Sequence, residues 1–267
     1  MVYDPPAAID TSTPHSARVW NYWLGGKDWY PVDKETGDRV AQLYPDIVLL
    51  ARAAREFLKN AVRHLTVEEG IRQFLDIGTG LPTAMNTHEA AQAVARESRV
   101  VYVDNDPLVL AHARALLTGS RQGATDYIHA DLHDPAAIIG AARSTLDLSQ
   151  PVAITLIAIM HHVEDYGQAR SIVSSLMEAV PPGSYLALSH STNVVNGPVS
   201  DEAVAKYNQF GRPRVILRSL EEIAGFFDGL DMLEPGLVST TRWRPNVAEI
   251  GQPPVEVDQF CAVARKP

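Results

Sequence analysis

Several features that define other protein classes are scarce in this sequence. It has one cysteine, Cys261, in 267 residues, which excludes an intrachain disulfide and a cysteine-based zinc cluster. No apolar run reaches the roughly 18 residues of a membrane span. The opening residues also lack the basic start and apolar core of a signal peptide. We therefore expect a cytoplasmic protein with no metal site and no membrane partner.

Positive charge is also scarce. The chain has 23 Lys and Arg residues against 32 Asp and Glu residues, a net charge of −9. Such a field repels polyanions, so nucleic acid is not an expected partner. Hydrophobic residues make up 46% of the chain, enough for an ordinary globular core. The length suits one α/β domain of about 200 residues with an extension.

The first 70 residues predict helices ahead of any strand. Residues 1–16 are rich in proline and threonine and predict a mobile tail. A short helix follows from residue 17 and should stop at Gly25 and Gly26. Residues 46–65 have apolar side chains at helical spacing. The basic residues of this segment lie largely on the other side, where we expect them to be solvated: Arg52, Arg55, Lys59 and Arg63.

From residue 71 onward, strand patterns alternate with helix patterns, which predicts crossover connections and a parallel sheet in a domain spanning residues 71–267. The predicted strands are residues 73–77, 99–104, 126–130, 152–158 and 184–190. The predicted helices between them are residues 87–97, 107–117, 135–143 and 166–180. Two final strands, 231–243 and 258–265, have no helix between them and predict a hairpin with one antiparallel strand.

The first of these strands ends in the turn "DIGTGLPT". Gly78 and Gly80 allow the backbone to approach a ligand closely. A dinucleotide fingerprint needs a third glycine at position 83, where Thr83 stands, and a helix that begins at once. Here the helix signal waits until Asn86. A pyrophosphate ligand is therefore disfavoured.

Acidic residues also end the next two strands. Asp104 follows the second strand and could accept both hydroxyls of a ribose. Asp131 and Leu132 follow the third strand, where a carboxylate and a backbone amide could recognise adenine. Because the carboxyl ends of parallel strands share one edge of the sheet, these groups together predict an adenosine site.

These motifs resemble the class I S-adenosylmethionine-dependent methyltransferases. More narrowly, "ARVWNYWLGGKDWYPVD", "FLDIGTGLPT", "NTHEAAQ" and "VVYVDNDPLVLAHAR" resemble a bacterial S-adenosyl methyltransferase-like family formerly catalogued as a domain of unknown function. In the generic turn of these methyltransferases a third glycine stands at position 82. Pro82 departs from that turn but agrees with the narrower family. The resemblance implies a Rossmann-like, mostly parallel seven-stranded sheet with an antiparallel last strand, S-adenosylmethionine as cofactor and S-adenosylhomocysteine as product. The expected cofactor-binding residues at the strand ends are Asp76, Gly78, Thr79, Gly80, Asp104, Asn105, Asp131 and Leu132.

An aromatic and basic block precedes the sheet, with Trp20, Trp23 and Trp29 within ten residues. It could be a helix packed on the sheet edge. It could instead be a lid in residues 17–70, with aromatic rings near the sulfonium and a cation on the methionine carboxylate. The family resemblance favours the lid. The further cofactor-binding residues expected from it are Arg18, Tyr22 and Lys27.

Catalytic groups are less clear from the sequence. His161 and His162 follow the fourth strand, where they could take a proton from a hydroxyl or amine acceptor or could shape the pocket wall. His190, after the fifth strand, is a less favoured candidate. No tetrapeptide typical of base-amino methylases follows the fourth strand. A small molecule or a peptide remains as the acceptor, and the sequence predicts methyl transfer to an oxygen or nitrogen atom of a small molecule.

Three alternatives remain open at this stage. One is a sensor that binds S-adenosylmethionine or S-adenosylhomocysteine without turnover. Another is aminopropyl transfer from decarboxylated S-adenosylmethionine, which would need an acidic polyamine pocket. The last is a nicotinamide dehydrogenase, disfavoured by Thr83 and the delayed helix.

Overall fold

A central β-sheet organises the chain, for which a computed structural model describes residues 9–82, 86–116, 120–245 and 254–267. Residues 1–8 of the predicted tail and Thr83 lie outside these residues. The sheet has the strand order β3-β2-β1-β4-β5-β8-β6, with β7 also paired to β8. The strands are β1 (Gln73–Ile77), β2 (Arg99–Asp104), β3 (Ala124–His129), β4 (Ala153–Ile157), β5 (Tyr185–Ser191), β6 (Asp231–Met232), β7 (Val238–Ser239) and β8 (Gln259–Arg265).

The first five strands are parallel, and β8 runs antiparallel to β5. This confirms the mostly parallel sheet with a reversed hairpin. The predicted edge strand 231–243 is two short strands, β6 and β7, both paired to β8. A turn separates them, in which the Gly236 amide donates to the Leu233 carbonyl at 2.8 Å and Gly236 has a φ of 82°. The seventh position in the sheet is therefore shared by two strands.

Helices surround the sheet and also precede it. They are α1 (Ser16–Trp23), α2 (Pro31–Leu43), α3 (Ile47–Val67), α4 (Thr87–Gln92), α5 (Pro107–Leu116), α6 (Pro135–Ala142), α7 (Tyr166–Glu178), α8 (Pro198–Phe210) and α9 (Leu220–Ala224). The sequence interpretation missed α2 and α8. Each has a proline in its first turn, a standard start signal. Their apolar residues are too sparse to show a clear helical period.

The sheet is buried on both faces. On one face Leu75 and Val101 share a core with α6 and α7. On the other, Phe74 and Val100 share a core with α3. Strands covered on both sides read as continuous apolar runs, which is why their positions were predictable.

A third apolar cluster lies among the helices rather than on the sheet. It joins Val19 and Trp23 of α1 to Val40 of α2 and to Ala203 and Tyr207 of α8. These helices form a separate layer whose core contains no strand residue among those described. The order of the strands reverses between β1 and β4, where doubly wound sheets bind ligands.

Candidate active site

A cavity lies at the carboxyl ends of β1 to β4, beside α1. It has a volume of about 1180 Å³, part of it open to solvent, and is called the central cavity below. Eight residues expected from the strand ends line it, namely Asp76, Gly78, Thr79, Gly80, Asp104, Asn105, Asp131 and Leu132. The sequence therefore located the position of the cavity within the fold.

The turn after β1 is shaped by two glycines with positive φ, 74° at Gly78 and 66° at Gly80. The Gly78 amide donates to the Val103 carbonyl at 2.8 Å, which ties the turn to the end of β2. A Cβ on Gly78 would lie 2.4 Å from Ile159 Cγ1. A Cβ on Gly80 would meet no atom within 4 Å and would project into open space. Gly78 is thus needed for internal packing, while Gly80 leaves room for a ligand.

Asp104 is held in one orientation by backbone amides. Its Oδ2 accepts from the Gly80 amide at 2.8 Å, and its Oδ1 accepts from the Asp106 amide at 2.9 Å. Burial raises the pKa of Asp104, and the two amide donors oppose that shift. A carboxylate oxygen can accept a second hydrogen bond, and Asp104 lines the cavity. The arrangement suits acceptance of two hydroxyl donors.

Asp76 lies deeper than Asp104 and is 3% exposed. The hydroxyl of Thr155 donates to its Oδ1 at 2.8 Å, and the hydroxyl of Thr87 donates to its Oδ2 at 2.6 Å. Burial raises the pKa of Asp76, and these two hydrogen bonds counter the rise. Asp76 therefore connects β1 with β4 and α4 below the turn, as well as lining the cavity.

Arg55 of α3 also lines the central cavity, although the sequence placed it on a solvated face. Burial lowers the pKa of Arg55 and the charge of Asp76 opposes that shift, so the guanidinium remains protonated. Its Nη2 lies 3.5 Å from Asn86 Oδ1. The prediction was wrong because α3 crosses the sheet close to the strand ends, so that one of its basic residues points inward.

The loop after β3 provides the third part of the expected site. Asp131 Oδ1 accepts from the His133 amide at 2.8 Å and contacts the His133 ring nitrogen Nδ1 at 2.7 Å. The His133 amide lowers the pKa of the Asp131 carboxyl. Leu132 is 8% exposed and forms an apolar part of the wall.

Arg18, Tyr22 and Lys27 do not line the central cavity. The Arg18 guanidinium faces inward, with its Nε 2.9 Å from Asp33 Oδ2, and its Nη groups donate to the carbonyls of residues 10 and 13. The Tyr22 hydroxyl donates to Asp38, and Lys27 is exposed. The structure thus gives no support to the expectation that Arg18 or Lys27 reaches a methionine carboxylate.

Other residues of the same segment do reach the cavity, where its lining includes His15, Ser16, Trp20 and Asn21. His15 Nδ1 lies 3.0 Å from Asp106 Oδ2, which joins the segment to the loop that orients Asp104. Burial alone would raise the pKa of Asp106, but the contact with His15 lowers it. The sequence pointed to this segment, but the residues of it that line the cavity are not Arg18, Tyr22 and Lys27.

Comparisons with known proteins agree with this geometry. A family model described as S-adenosyl methyltransferase matches residues 3–267. The chain belongs to the S-adenosyl methyltransferase family. This membership identifies S-adenosylmethionine as the cofactor and S-adenosylhomocysteine as the product.

Two solved structures are closely similar to this methyltransferase. A DUF574 family protein from Streptomyces avermitilis is 46% identical, with a TM-score of 0.92 over 97% of this chain and 100% of that one. A proposed methyltransferase from Thermobifida fusca is 35% identical, with a TM-score of 0.89 over 100% of this chain and 99% of that one. No curated protein matches the sequence.

A more distant structure shows only the fold. An S-adenosylmethionine-dependent methyltransferase from Anabaena variabilis is 15% identical, with a TM-score of 0.50 over 99% of this chain and 100% of that one. Among the described helices of the present methyltransferase, none is long and apolar enough to cross a membrane.

His161 and His162 lie in a short 3₁₀ turn after β4, with their ring centroids 4.3 Å apart. They face different spaces. His162 lines the central cavity, whereas His161 lines a neighbouring one, called the side cavity below. The side cavity lies mainly among α1, the start of α3 and α8, and shares Ser16 and Trp20 with the central cavity.

Hydrogen bonds fix the basic nitrogen of His162. Its Nδ1 donates to the Arg214 carbonyl at 2.8 Å, which leaves Nε2 as the proton acceptor. Burial lowers the pKa of His162 to about 4, so the ring is neutral near pH 7.

His190 has a structural role in this methyltransferase. Its Nδ1 donates to the Ser191 carbonyl at 2.8 Å, and its Nε2 accepts from Arg218 at 2.7 Å. Arg218 also donates to the carbonyls of Met160 and Val163, which flank the two other histidines. Both His190 nitrogens are therefore used to hold the turn.

Ala158, between β4 and this turn, was not predicted as a site residue. It lines the central cavity with a φ of 55°, unusual for a residue with a Cβ. Its amide contacts the carbonyl and the hydroxyl of Ser189, at 3.2 and 3.1 Å. Sequence patterns do not reveal such a conformation, because it is imposed by the neighbouring strand.

Proposed function

We propose that this methyltransferase transfers a methyl group to an oxygen or nitrogen atom of a small molecule, with the cofactor held in the central cavity. The supporting observation is the Asp104 carboxylate at the end of β2, oriented by the Gly80 and Asp106 amides. A free ribose diol matches its outward lone pairs. The open space above Gly80 removes a steric barrier to a nucleoside.

The remaining cavity residues can be assigned to other parts of the cofactor. Arg55, beside the turn, offers a positive charge for the methionine carboxylate. Asp131 and the backbone at Leu132 lie after β3, where they could recognise adenine. When bound, S-adenosylmethionine supplies an electrophilic methyl group whose S–C electron pair returns to sulfur as the acceptor forms the new bond.

The N-terminal segment of residues 17–70, together with the preceding His15 and Ser16, would act as a cover over this site. His15, Ser16 and Trp20 already border the cavity, and the contact of His15 with Asp106 fastens the segment to the ribose-binding loop. A cover excludes water, which strengthens the electrostatic contacts made inside the cavity.

The two histidines of the turn are the candidates for the base. An oxygen or nitrogen acceptor must lose a proton as the new bond to carbon forms, and a neutral imidazole can take that proton. The hydrogen bond to the Arg214 carbonyl leaves His162 Nε2 available on the cofactor side. His161 lies on the side of the neighbouring cavity.

Isothermal titration with S-adenosylmethionine, S-adenosylhomocysteine and NAD tests the proposed site. We expect micromolar binding of the two sulfur nucleosides and none of NAD. The Asp104→Ala variant should weaken that binding about tenfold to a hundredfold, because hydrogen bonds to a charged group contribute about 1.5–3 kcal/mol. The control is Asp147→Ala, which removes an exposed carboxylate that does not line the cavity.

Unchanged affinity in Asp104→Ala would show that the ribose binds elsewhere. Binding without methyl transfer to any acceptor would instead favour the sensor alternative.

A further inference from the structure

The side cavity is lined mainly by apolar and aromatic side chains. Its volume is about 570 Å³, part of it open to solvent. Its walls include Trp23, Val40, Leu50 and Tyr207. These residues belong to α1, α2, α3 and α8 and share one apolar cluster. A cavity with such walls favours a flat or bulky apolar ligand.

Two residues that line this space carry buried polar atoms without a hydrogen-bond partner. His161 is 1% exposed and Thr192 is 0% exposed, and both line the side cavity. Among the described residues, His161 Nε2 and Thr192 Oγ1 have no hydrogen-bond partner. Buried polar groups in folded proteins are almost always hydrogen-bonded, so this pair indicates a ligand that supplies the missing partners.

The hydrogen-bond network behind His161 shows which partner it needs. The Ser191 hydroxyl donates to Gln259 Oε1 at 3.0 Å, and Gln259 Nε2 donates to the Ser189 hydroxyl at 2.9 Å. Since the Ser191 proton is used in this way, its oxygen accepts from His161 Nδ1 at 2.9 Å. His161 Nε2 is then an unprotonated acceptor, and it requires a donor from the ligand.

The charge of the cavity selects among possible donors. No Lys or Arg is found among the described residues that line it. The one carboxylate, Asp258, already accepts from the amides of Val195 and Asn196, from the Asn196 side chain and from the Ser200 hydroxyl. An anionic ligand would find no opposite charge, and the Asp258 carboxylate already accepts four hydrogen bonds from the protein. A neutral hydroxyl group can donate to His161 and accept from Thr192 at the same time.

We propose that the side cavity holds the methyl acceptor, a neutral and mostly apolar molecule whose hydroxyl group donates to His161 Nε2. The inference rests on the proposed function, since Ser16 and Trp20 form a boundary shared with the cofactor-binding central cavity. In the reaction, the O–H bond breaks and its proton passes to His161 Nε2. The oxygen forms the new C–O bond as the S–C bond breaks, and that electron pair remains on sulfur.

The first test measures the binding of 2-naphthol to the protein saturated with S-adenosylhomocysteine. The fluorescence of the naphthol reports the binding. We expect saturable binding, at least tenfold tighter than that of naphthalene, which lacks the hydroxyl, or of 2-naphthoate, which is anionic. With tritiated S-adenosylmethionine, the label should appear in 2-methoxynaphthalene.

Variants locate the binding. Ala203→Phe fills the side cavity from α8 and should weaken 2-naphthol binding at least tenfold. Ala205→Phe, an exposed position of the same helix, is the matched control. His161→Asn keeps a donor toward Ser191 but lacks Nε2, so it should abolish the preference for 2-naphthol over naphthalene. Thr192→Val should reduce that preference about threefold to tenfold.

The outcomes separate the two proposals. If S-adenosylhomocysteine binds but 2-naphthol shows no saturable binding, or binds equally well to Ala203→Phe, the acceptor cavity is wrong while the cofactor site stands. If S-adenosylhomocysteine itself fails to bind the folded protein, the proposed function fails. Ala203→Phe must keep wild-type affinity for S-adenosylhomocysteine, which shows that the variant is folded.

Discussion

The two cavities of this methyltransferase are built on different principles. The central cavity is formed mainly by short segments that follow β1 to β4, and its key carboxylate is held by backbone amides. The side cavity is formed by side chains of helices that are far apart in sequence, and two of its polar atoms lack partners. In the central cavity the protein's own amides orient the key carboxylate, whereas in the side cavity the two unpartnered atoms are what we propose a ligand contacts. A fixed cofactor site and a substrate-specific site would differ in this way.

The largest expected effect on stability concerns Asp33, which holds α1. Ser16 and Trp20 of this helix line both cavities. Asp33 is 0% exposed and accepts from the amides of His15 and Tyr30, at 2.9 and 2.8 Å, besides its ion pair with Arg18. Asp33→Ala leaves a buried guanidinium without its counter-ion, which costs about 3–5 kcal/mol. Urea denaturation should show this loss, and the variant should bind both S-adenosylhomocysteine and 2-naphthol more weakly.

The Asp33→Asn variant is the control for this experiment, because it keeps an acceptor oxygen but loses the charge. It should be more stable than Asp33→Ala. A loss below about 1 kcal/mol in Asp33→Ala would mean that α1 is held mainly by its apolar contacts.

The contrast between the cavities also explains what could be predicted from the sequence. Gly78, Gly80 and Asp104 were found because strand ends obey local rules of turn conformation and alternation. Arg18 and Arg55 both lie on amphipathic helices, and sequence gives no means to decide which one reaches the cavity. That choice depends on how α1 and α3 cross the sheet, which is set by long-range packing.

The side cavity was not predictable for the same reason. Its walls depend on α2 and α8, whose weak apolar period did not identify them as helices. The network from Ser189 through Gln259 and Ser191 to His161 joins β5, β8 and the turn after β4. No local pattern connects residues so distant along the chain.

A pair of glycine variants sharpens the comparison within the central cavity. In Gly78→Ala the new Cβ would overlap Ile159 and carry a positive φ, at a cost of about 2–4 kcal/mol. In Gly80→Ala the Cβ meets open space, so the cost is about 1–2 kcal/mol from φ alone. Thermal unfolding should rank the two variants in this order.

The affinity for S-adenosylhomocysteine should rank these glycine variants in the opposite order from stability. The Cβ of Gly80→Ala projects into the proposed cofactor space, so this variant should lose more than tenfold in S-adenosylhomocysteine affinity while staying folded. If its affinity matches the wild type, the cofactor does not approach Gly80, and the turn has only a structural role.

A smaller effect on stability is expected at the 3₁₀ turn after β4. In this turn His162 lines the central cavity and His161 lines the side cavity. His190 supports this turn through Arg218, is 0% exposed, and is neutral because burial lowers its pKa from 6.5 to about 3. In the unfolded chain the histidine has its ordinary pKa and binds a proton below about pH 6.5. The unfolded state therefore binds more protons between these two values, and stability is full above pH 6.5 and falls as the pH drops toward 3.

For His190 alone, this linkage predicts a loss of about 2 kcal/mol between pH 7 and pH 5. His190→Phe removes the titrating group but keeps an aromatic ring beside Phe226, the ring on which His190 stacks. The variant should be less stable at pH 7, because Arg218 loses one acceptor, but its stability should fall less steeply with acid. Urea denaturation of both proteins at the two pH values measures the difference in slope. Equal slopes would mean that His190 titrates alike in the folded and unfolded states, and that the turn between the two cavities does not depend on its neutral form.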